Sequence, residues 1–326
     1  MKDVDDTEVE RFRGFAAKRG RIAPELLDEP EEVLMQKLHL VNSGYLTNAA
    51  TLLFAKDPQD FQQGAYIKID YFASDADLLY QDEIHGSLLE QVDKALEVIY
   101  LKYMKAKISY EGIQRVERYF VPEAALREAL LNAVCHKQYE SCIPVQVSVY
   151  EDRLYGANIG VLPETWTLHN LLGKHESRPY YPNLATVLYY AGCIESWGRG
   201  IEKICTSCRA DGLPEPEFTV HPGDIMIQFT APEDRIVRVH DSLDEKDQGI
   251  LDLLSVDPEY TVTQLSNELG FSRKTVAAHM RKLKAEHKIE RVGSDRKGYW
   301  RIPKNQGYIS SEPRAWKDKK GMTNER

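Results

Sequence analysis

Between residues 245 and 302 the order of apolar, small and capping residues leaves few folds open. Gly249-Ile250-Leu251-Asp252-Leu253-Leu254 has the spacing of an amphipathic helix. Thr261-Val262-Thr263-Gln264-Leu265-Ser266-Asn267-Glu268-Leu269 predicts a second, capped by Thr261 or Thr263. Gly270-Phe271 supplies a short turn. Ser272 then caps a third helix, Arg273 to His287, with Val276, Met280 and Leu283 as its core stripe. Two helices around a short glycine-containing turn have helix–turn–helix spacing. Ile289-Glu290-Arg291-Val292 and Gly298-Tyr299-Trp300-Arg301-Ile302 read as strands around Gly293-Ser294-Asp295-Arg296-Lys297.

Charge gives this segment a partner. The 326-residue chain has a net charge of −9, yet from Phe271 to Arg326 there are 16 Lys+Arg against 6 Asp+Glu. A basic head attracts nucleic acid and the acidic body repels it. On the third helix Ser272, Arg273, Lys274, Thr275, His279 and Lys282 stay outside the core stripe, where a recognition helix reaches base edges of double-stranded DNA. Arg296 and Lys297 at the hairpin tip are placed to meet phosphate or the minor groove. The hairpin resembles the wing of bacterial winged-helix regulators. The same fold also serves protein contacts or dimerisation.

Upstream, the patterning predicts an α+β body. Residues 1–58 read as helical, with an apolar run at Leu46-Thr47-Asn48-Ala49-Ala50-Thr51-Leu52-Leu53-Phe54-Ala55 behind a Thr47 cap. Residues 65–73 alternate as a strand, and 86–105 return to helix. Residues 144–150 and 154–157 form a strand pair around a turn at 151–153, and 225–229 form a last strand. Helices followed by antiparallel strands imply a sandwich with helices on one sheet face. The expected divisions are 1–118, 119–230, a charged linker at 231–244, the winged helix at 245–302, and a polar, disordered tail at 303–326.

Within the body, Glu128-Ala129-Leu130-Leu131-Asn132-Ala133-Val134-Cys135-His136 is strongly helical. Leu126, Ala129, Leu130, Ala133 and Val134 mark its buried stripe, and Glu128 and Asn132, four apart, share the opposite face. A carboxylate beside a carboxamide suits Mg²⁺ and a water attacking a phosphate. Further on, Trp197-Gly198-Arg199-Gly200-Ile201 lets the backbone approach phosphate and aims a helix N-terminus at an anion.

Residues 123–220 resemble the C-terminal ATPase-like domain of bacterial transcriptional regulators and of the ATP-dependent DNA helicase RecG-related family, itself similar to the GHKL ATPases. The resemblance is carried by Glu123, Leu126, Arg127, Glu128, Asn132, Ala133, His136, Tyr139, Asn158-Ile159-Gly160, Leu162-Pro163, Ser177-Arg178, Pro182-Asn183, residues 195–201 and residues 212–218. It implies an ATP and Mg²⁺ site. Asn132 would hold Mg²⁺ on the phosphates, and Glu128 would position or deprotonate the attacking water. Asn158 would read the adenine amino group, Gly160 would shape the adenine pocket, and Gly198 and Gly200 would bend the phosphate loop. Relatives carry Asp where Asn158 stands, Pro at Ile159, Gly at Val161 and His-Arg-Asp-Tyr at 136–139. The amide still accepts a hydrogen bond but lacks charge assistance. Relatives also begin with an AlbA-like domain, so 1–118 is expected to be the region that follows a domain this chain lacks.

Several classes are excluded or disfavoured. No Gly-x-x-x-x-Gly-Lys-Ser/Thr loop occurs, so the chain is not a P-loop helicase. No apolar run approaches the roughly 20 residues that cross a bilayer. Five cysteines and an N-terminus without an apolar h-region suit the cytoplasm. Cys205 and Cys208 read as small apolar residues, and Tyr189, Tyr190 and Trp197 as core. Three functions fit: a DNA-binding regulator responsive to ATP through domain packing or a homodimer, an ATPase in DNA or defence metabolism tethered by its winged helix, and a scaffold with an inactive pocket.

Overall fold

A computed structural model describes residues 3–195, 198–237, 245–285, 288–293 and 298–302. It forms two compact units, residues 1–238 and 239–326.

The first unit begins with α1 (Asp6–Arg19), capped by Asp5, which accepts from Thr7 N at 2.8 Å. Gly20 ends it in the left-handed region, φ +63°. Short helices α2 (Pro24–Leu27) and α3 (Glu31–Lys37) follow, then the two-residue strands β1 (Val41–Asn42) and β2 (Tyr45–Leu46). Thr47 caps α4 (Asn48–Phe54), as its sequence implies, accepting from Ala50 N at 3.3 Å. Phe12 of α1 meets Phe54 edge to face, and Val9, Ala16, Leu52 and Leu53 are buried with them.

The sheet comes next. Strands β3 (Ile67–Ser74) and β4 (Asp77–Ile84) form a hairpin, followed by α5 (Leu88–Val98), a π turn at Ile99–Tyr103 and the separate hairpin β5 (Lys107–Glu111) and β6 (Gln114–Arg118). Then come α6 (Glu123–His136), β7 (Val145–Val149), β8 (Arg153–Ile159), α7 (Leu168–Leu172), α8 (Pro182–Tyr190), α9 (Gly200–Ala210), β9 (Glu217–His221) and β10 (Asp224–Thr230). The six-stranded order is β4-β3-β7-β8-β10-β9. β3 and β7 are parallel, Ile67 opposite Val145 and Tyr71 opposite Val149, and every other pair is antiparallel. The sheet therefore runs across residue 118: two of its strands precede the boundary that local patterning suggests. Ile67, Ile69, Val145, Val147, Val149, Leu154 and Phe229 alternate onto the buried face, under α5 and α6, with α9 packed against α6. The fold is thus a mixed sheet with helices on one face.

The second unit is a winged helix. Its helices are α10 (Glu245–Val256), α11 (Val262–Leu269) and α12 (Arg273–Ala285), and its wing strands β11 (Glu290–Val292) and β12 (Tyr299–Arg301) pair antiparallel. Thr261 is the cap of α11: it accepts from Gln264 N while Gln264 Oε1 accepts from Thr261 N, a reciprocal box. Gly270 turns the chain at φ +70°. Ile250, Leu251, Leu254, Leu265, Val276, Met280, Leu283 and Ile289 form the core, so the expected stripe on the third helix is the buried one.

Candidate functional site

Helix α6 places Glu128 and Asn132 one turn apart, and α9 packs across that face. Burial follows: Glu128 is only 3% exposed. The contact is close because residue 200 is glycine. A Cβ there would lie 2.5 Å from Asn132 Nδ2 and 3.0 Å from Glu128 Oε1. Gly198 has φ +60°, and a Cβ on it would meet the His175 carbonyl oxygen at 2.5 Å. Gly198 is therefore required by both backbone conformation and space, and a side chain at 200 would displace the Asn132 carboxamide.

Strand β8 runs two residues further than the expected strand. Asn158 and Ile159 belong to it rather than to a turn, and Asn158 faces the helices opposite Ile225. Gly160 follows, where a Cβ would lie 3.2 Å from Asn158 Nδ2 and 3.3 Å from the His136 carbonyl oxygen. One cavity of about 280 Å³ collects Glu128, Asn132, Asn158, Gly198 and Gly200 on its wall, with Gly160 packed behind Asn158. Val145, Val147, Leu154, Ile225, Ile227 and Phe229 give it an apolar floor. Leu162, Pro163, Trp166, His175 and Arg178 close it from the segment between β8 and α8. Tyr180 staples that segment, its hydroxyl donating to the Val161 carbonyl oxygen at 2.8 Å. Trp166 meets His175 edge to face at 4.8 Å, and Arg178 lies 5.6 Å from the Trp166 ring centre.

The electrostatics divide the cavity. At one end Lys203 Nζ donates to Glu128 Oε2 at 2.7 Å. Arg199 and Arg178 line the wall, and Lys203 is tied to it through Glu128. His136 faces the apolar part, where burial and neighbouring His175 hold its imidazole below the usual histidine range. Sequence reasoning gave no role to Trp166, His175 or Lys203, and named His136 and Arg178 only as carrying the resemblance. Lys203 did carry a signal: a lysine in the opening turn of a helix opposes the helix dipole unless an anion meets it. Cys208 is buried, and burial pushes its thiol up to about 11, consistent with a small apolar role.

An apolar slot leading to a cation-lined, glycine-bounded end fits a nucleotide: a ring in the slot and phosphates at the glycines. If bound there, Mg²⁺ would find the Asn132 carboxamide and the Glu128 carboxylate as oxygen donors.

In the winged helix the expected DNA-facing residues separate into groups. Arg273 and Lys274 are exposed at the start of α12, with no ion pair among the described residues. Ser272 is the cap, accepting from Thr275 N at 3.1 Å, and its hydroxyl also bonds Thr275 Oγ1 at 2.8 Å. His279 and Lys282 do not project together with Arg273 and Lys274. Both turn onto fully buried Asp247 of α10, Nδ1 and Nζ each at 2.7 Å from a carboxylate oxygen. A buried carboxylate requires such partners. Arg296 and Lys297, like Trp197 and the tail at 303–326, lie outside the described residues.

Two family models match the chain. Residues 143–229 match the family "Putative ATP-dependent DNA helicase recG C-terminal". That ATPase-like match spans β7 to β10 and stops short of α6, so Glu128 and Asn132 join it through packing rather than through the matched segment. Residues 243–290 match a winged helix-turn-helix DNA-binding family. The DIP2311 protein from Corynebacterium diphtheriae, known from its crystal structure, has a similar fold, with a TM-score of 0.57 at 20% identity. The likeness covers 93% of this chain and 62% of that one, so this chain spans less than two thirds of its length. No curated protein matches. The chain thus joins an ATPase-like domain to a DNA-binding domain, and among the described residues no helix is long and apolar enough to cross a membrane.

Proposed function

We propose that this protein is a DNA-binding transcriptional regulator whose first unit binds ATP or a related nucleotide in a GHKL-like site, and that occupancy of the site modulates DNA binding. The observation that carries the reading is convergence. Glu128, Asn132, Asn158, Gly198 and Gly200 are spread over some seventy residues of sequence, yet they line one cavity in a chain that also carries a winged helix. The residues divide the work. Asn132 supplies a neutral oxygen to Mg²⁺ on the phosphates, Asn158 pairs with the edge of the base, and Gly198 and Gly200 admit the phosphates to the start of α9. Glu128, whose carboxylate accepts from Lys203, is placed to position a water beside the phosphates. A bound nucleotide changes DNA affinity only if it prefers one of two states of the molecule, through domain packing or a homodimer.

Titration calorimetry of Mg·ATP into the full chain tests the site. Saturable binding is expected, weakened on the order of tenfold or more by Asn132→Ala, as for a lost hydrogen bond in a charged setting. A chain that binds no nucleotide sinks the reading.

A further inference from the structure

We propose that Lys203 is the residue that distinguishes a nucleoside triphosphate from a diphosphate, and that Glu128 holds it in reserve while the site is empty. The inference rests on the nucleotide reading above and deepens it. The geometry is one-sided. Lys203 Nζ lies 2.7 Å from Glu128 Oε2, with the carboxylate side chain 4% exposed and the lysine side chain 50% exposed. The acid is fixed in the wall, whereas the base rests on it from the solvent side. The other carboxylate oxygen faces Gly200, close to where a Cβ would stand. Lys203 sits in the opening turn of α9, and Arg199 before it provides no side-chain cap. A lysine there faces the positive end of the helix dipole, which Glu202 of the first turn and Glu128 across the contact both offset.

A terminal phosphate alters that balance. It carries more negative charge than one carboxylate, and it would arrive at the same glycine-bounded end. The lysine stem has four rotatable carbons and one compact charge, so it can pivot from carboxylate to phosphate without moving the helix. A diphosphate ends one phosphate short and leaves the ion pair in place. The same pivot removes the counter-charge from Glu128, so recognition of the third phosphate and unmasking of the carboxylate become one event.

Calorimetric titration of the full chain with Mg·ATP and with Mg·ADP reads this directly. The wild type is expected to prefer ATP by about tenfold or more. Lys203→Met should abolish the preference, weakening ATP about tenfold and changing ADP less than twofold. Lys203→Arg should keep most of it. Glu128→Gln, which no longer competes for the ammonium, should keep or widen the ratio of ATP to ADP affinity, in which any loss of a shared Mg²⁺ ligand cancels. Since Lys203→Met strands a buried carboxylate, the double variant Glu128→Gln/Lys203→Met removes both charges, and a thermal melt checks that it is folded. It too should bind both nucleotides equally. If Lys203→Met weakens ATP and ADP alike, or neither, Lys203 merely neutralises Glu128 and the proposal is overturned. If the wild type binds neither nucleotide, the proposed function fails first and the proposal falls with it.

Discussion

Lys137 is the least expected side chain of the first unit. It follows the last residue of α6, is 1% exposed, and its ammonium has no hydrogen-bond partner among the described residues. It lies 4.1 Å from the centre of the Tyr139 ring, and a cation–π contact returns only part of what desolvation costs. Burial accordingly lowers its pKa from 10.5 to about 8. The folded pKa is below the unfolded one, so the unfolded chain holds the proton more tightly. The penalty is complete below pH 8 and shrinks as pH rises toward 10.5, where both states are neutral. At about 1.4 kcal/mol per pKa unit the penalty is about 3 kcal/mol. Lys137→Met, similar in length and apolar, should therefore raise stability at pH 7 by about 1–3 kcal/mol. Urea melts at pH 7 and pH 10 check this, since the gap between variant and wild type should narrow at the higher pH. An equal gap at both values would mean that packing, not charge, separates the two proteins.

Between elements, the contact that matters most in the second unit joins α10 to α12 through Asp247. Its carboxylate is fully buried and accepts from His279 and Lys282. Asp247→Ala removes the acceptor that ties His279 and Lys282 of α12 to α10, a loss of about 1.5–3 kcal/mol, as for hydrogen bonds to a charged group. Hydrogen exchange of the full chain should show faster exchange of the α12 amides at 276–283, with the α6 amides unchanged. The same contact revises the recognition surface: substitutions at His279 and Lys282 should lower stability before they lower DNA affinity. Periodicity and capping residues made α4, α6, α11 and α12 legible, because a helix writes its buried stripe and its cap locally. β4 was not legible. Asp77-Leu78-Leu79-Tyr80-Gln81-Asp82-Glu83-Ile84 does not alternate, being an edge strand with Leu78, Leu79 and Tyr80 exposed. Nor was the β3–β7 pairing, since it joins segments 78 positions apart. Glycine spacing and the α6 pattern picked out most of the cavity wall, whereas the Glu128–Lys203 and Asp247–His279 pairs depend on which faces the packed helices present to each other.

At the scale of the whole molecule the charge asymmetry and the two units pose one question: whether the sites are coupled. The sequence from Phe271 onward is strongly basic within a chain of net charge −9. Duplex binding should therefore weaken steeply with salt, each phosphate contact contributing a slope near −0.9 in log K against log salt. Arg273→Ala and Lys274→Ala remove the exposed cations at the start of α12. Each should weaken binding and, where it loses a phosphate contact, flatten the slope by about one. These effects establish a DNA-binding head but say nothing of regulation. Regulation requires a coupling free energy, and linkage makes that quantity symmetrical. If Mg·ATP shifts duplex affinity by a given factor, saturating duplex must shift ATP affinity by the same factor. Fluorescence anisotropy of a labelled duplex, with and without Mg·ATP, gives one side. Calorimetry of ATP into the chain, with and without duplex, gives the other. A coupling of 1–3 kcal/mol is typical of allosteric proteins, about 5- to 150-fold in affinity. Equal shifts in both directions, abolished together by Asn132→Ala, are expected of a nucleotide-responsive regulator. Tight nucleotide and duplex binding with no mutual shift would leave two functional units that share a chain but not a free energy, and the tethered ATPase would then be the better description.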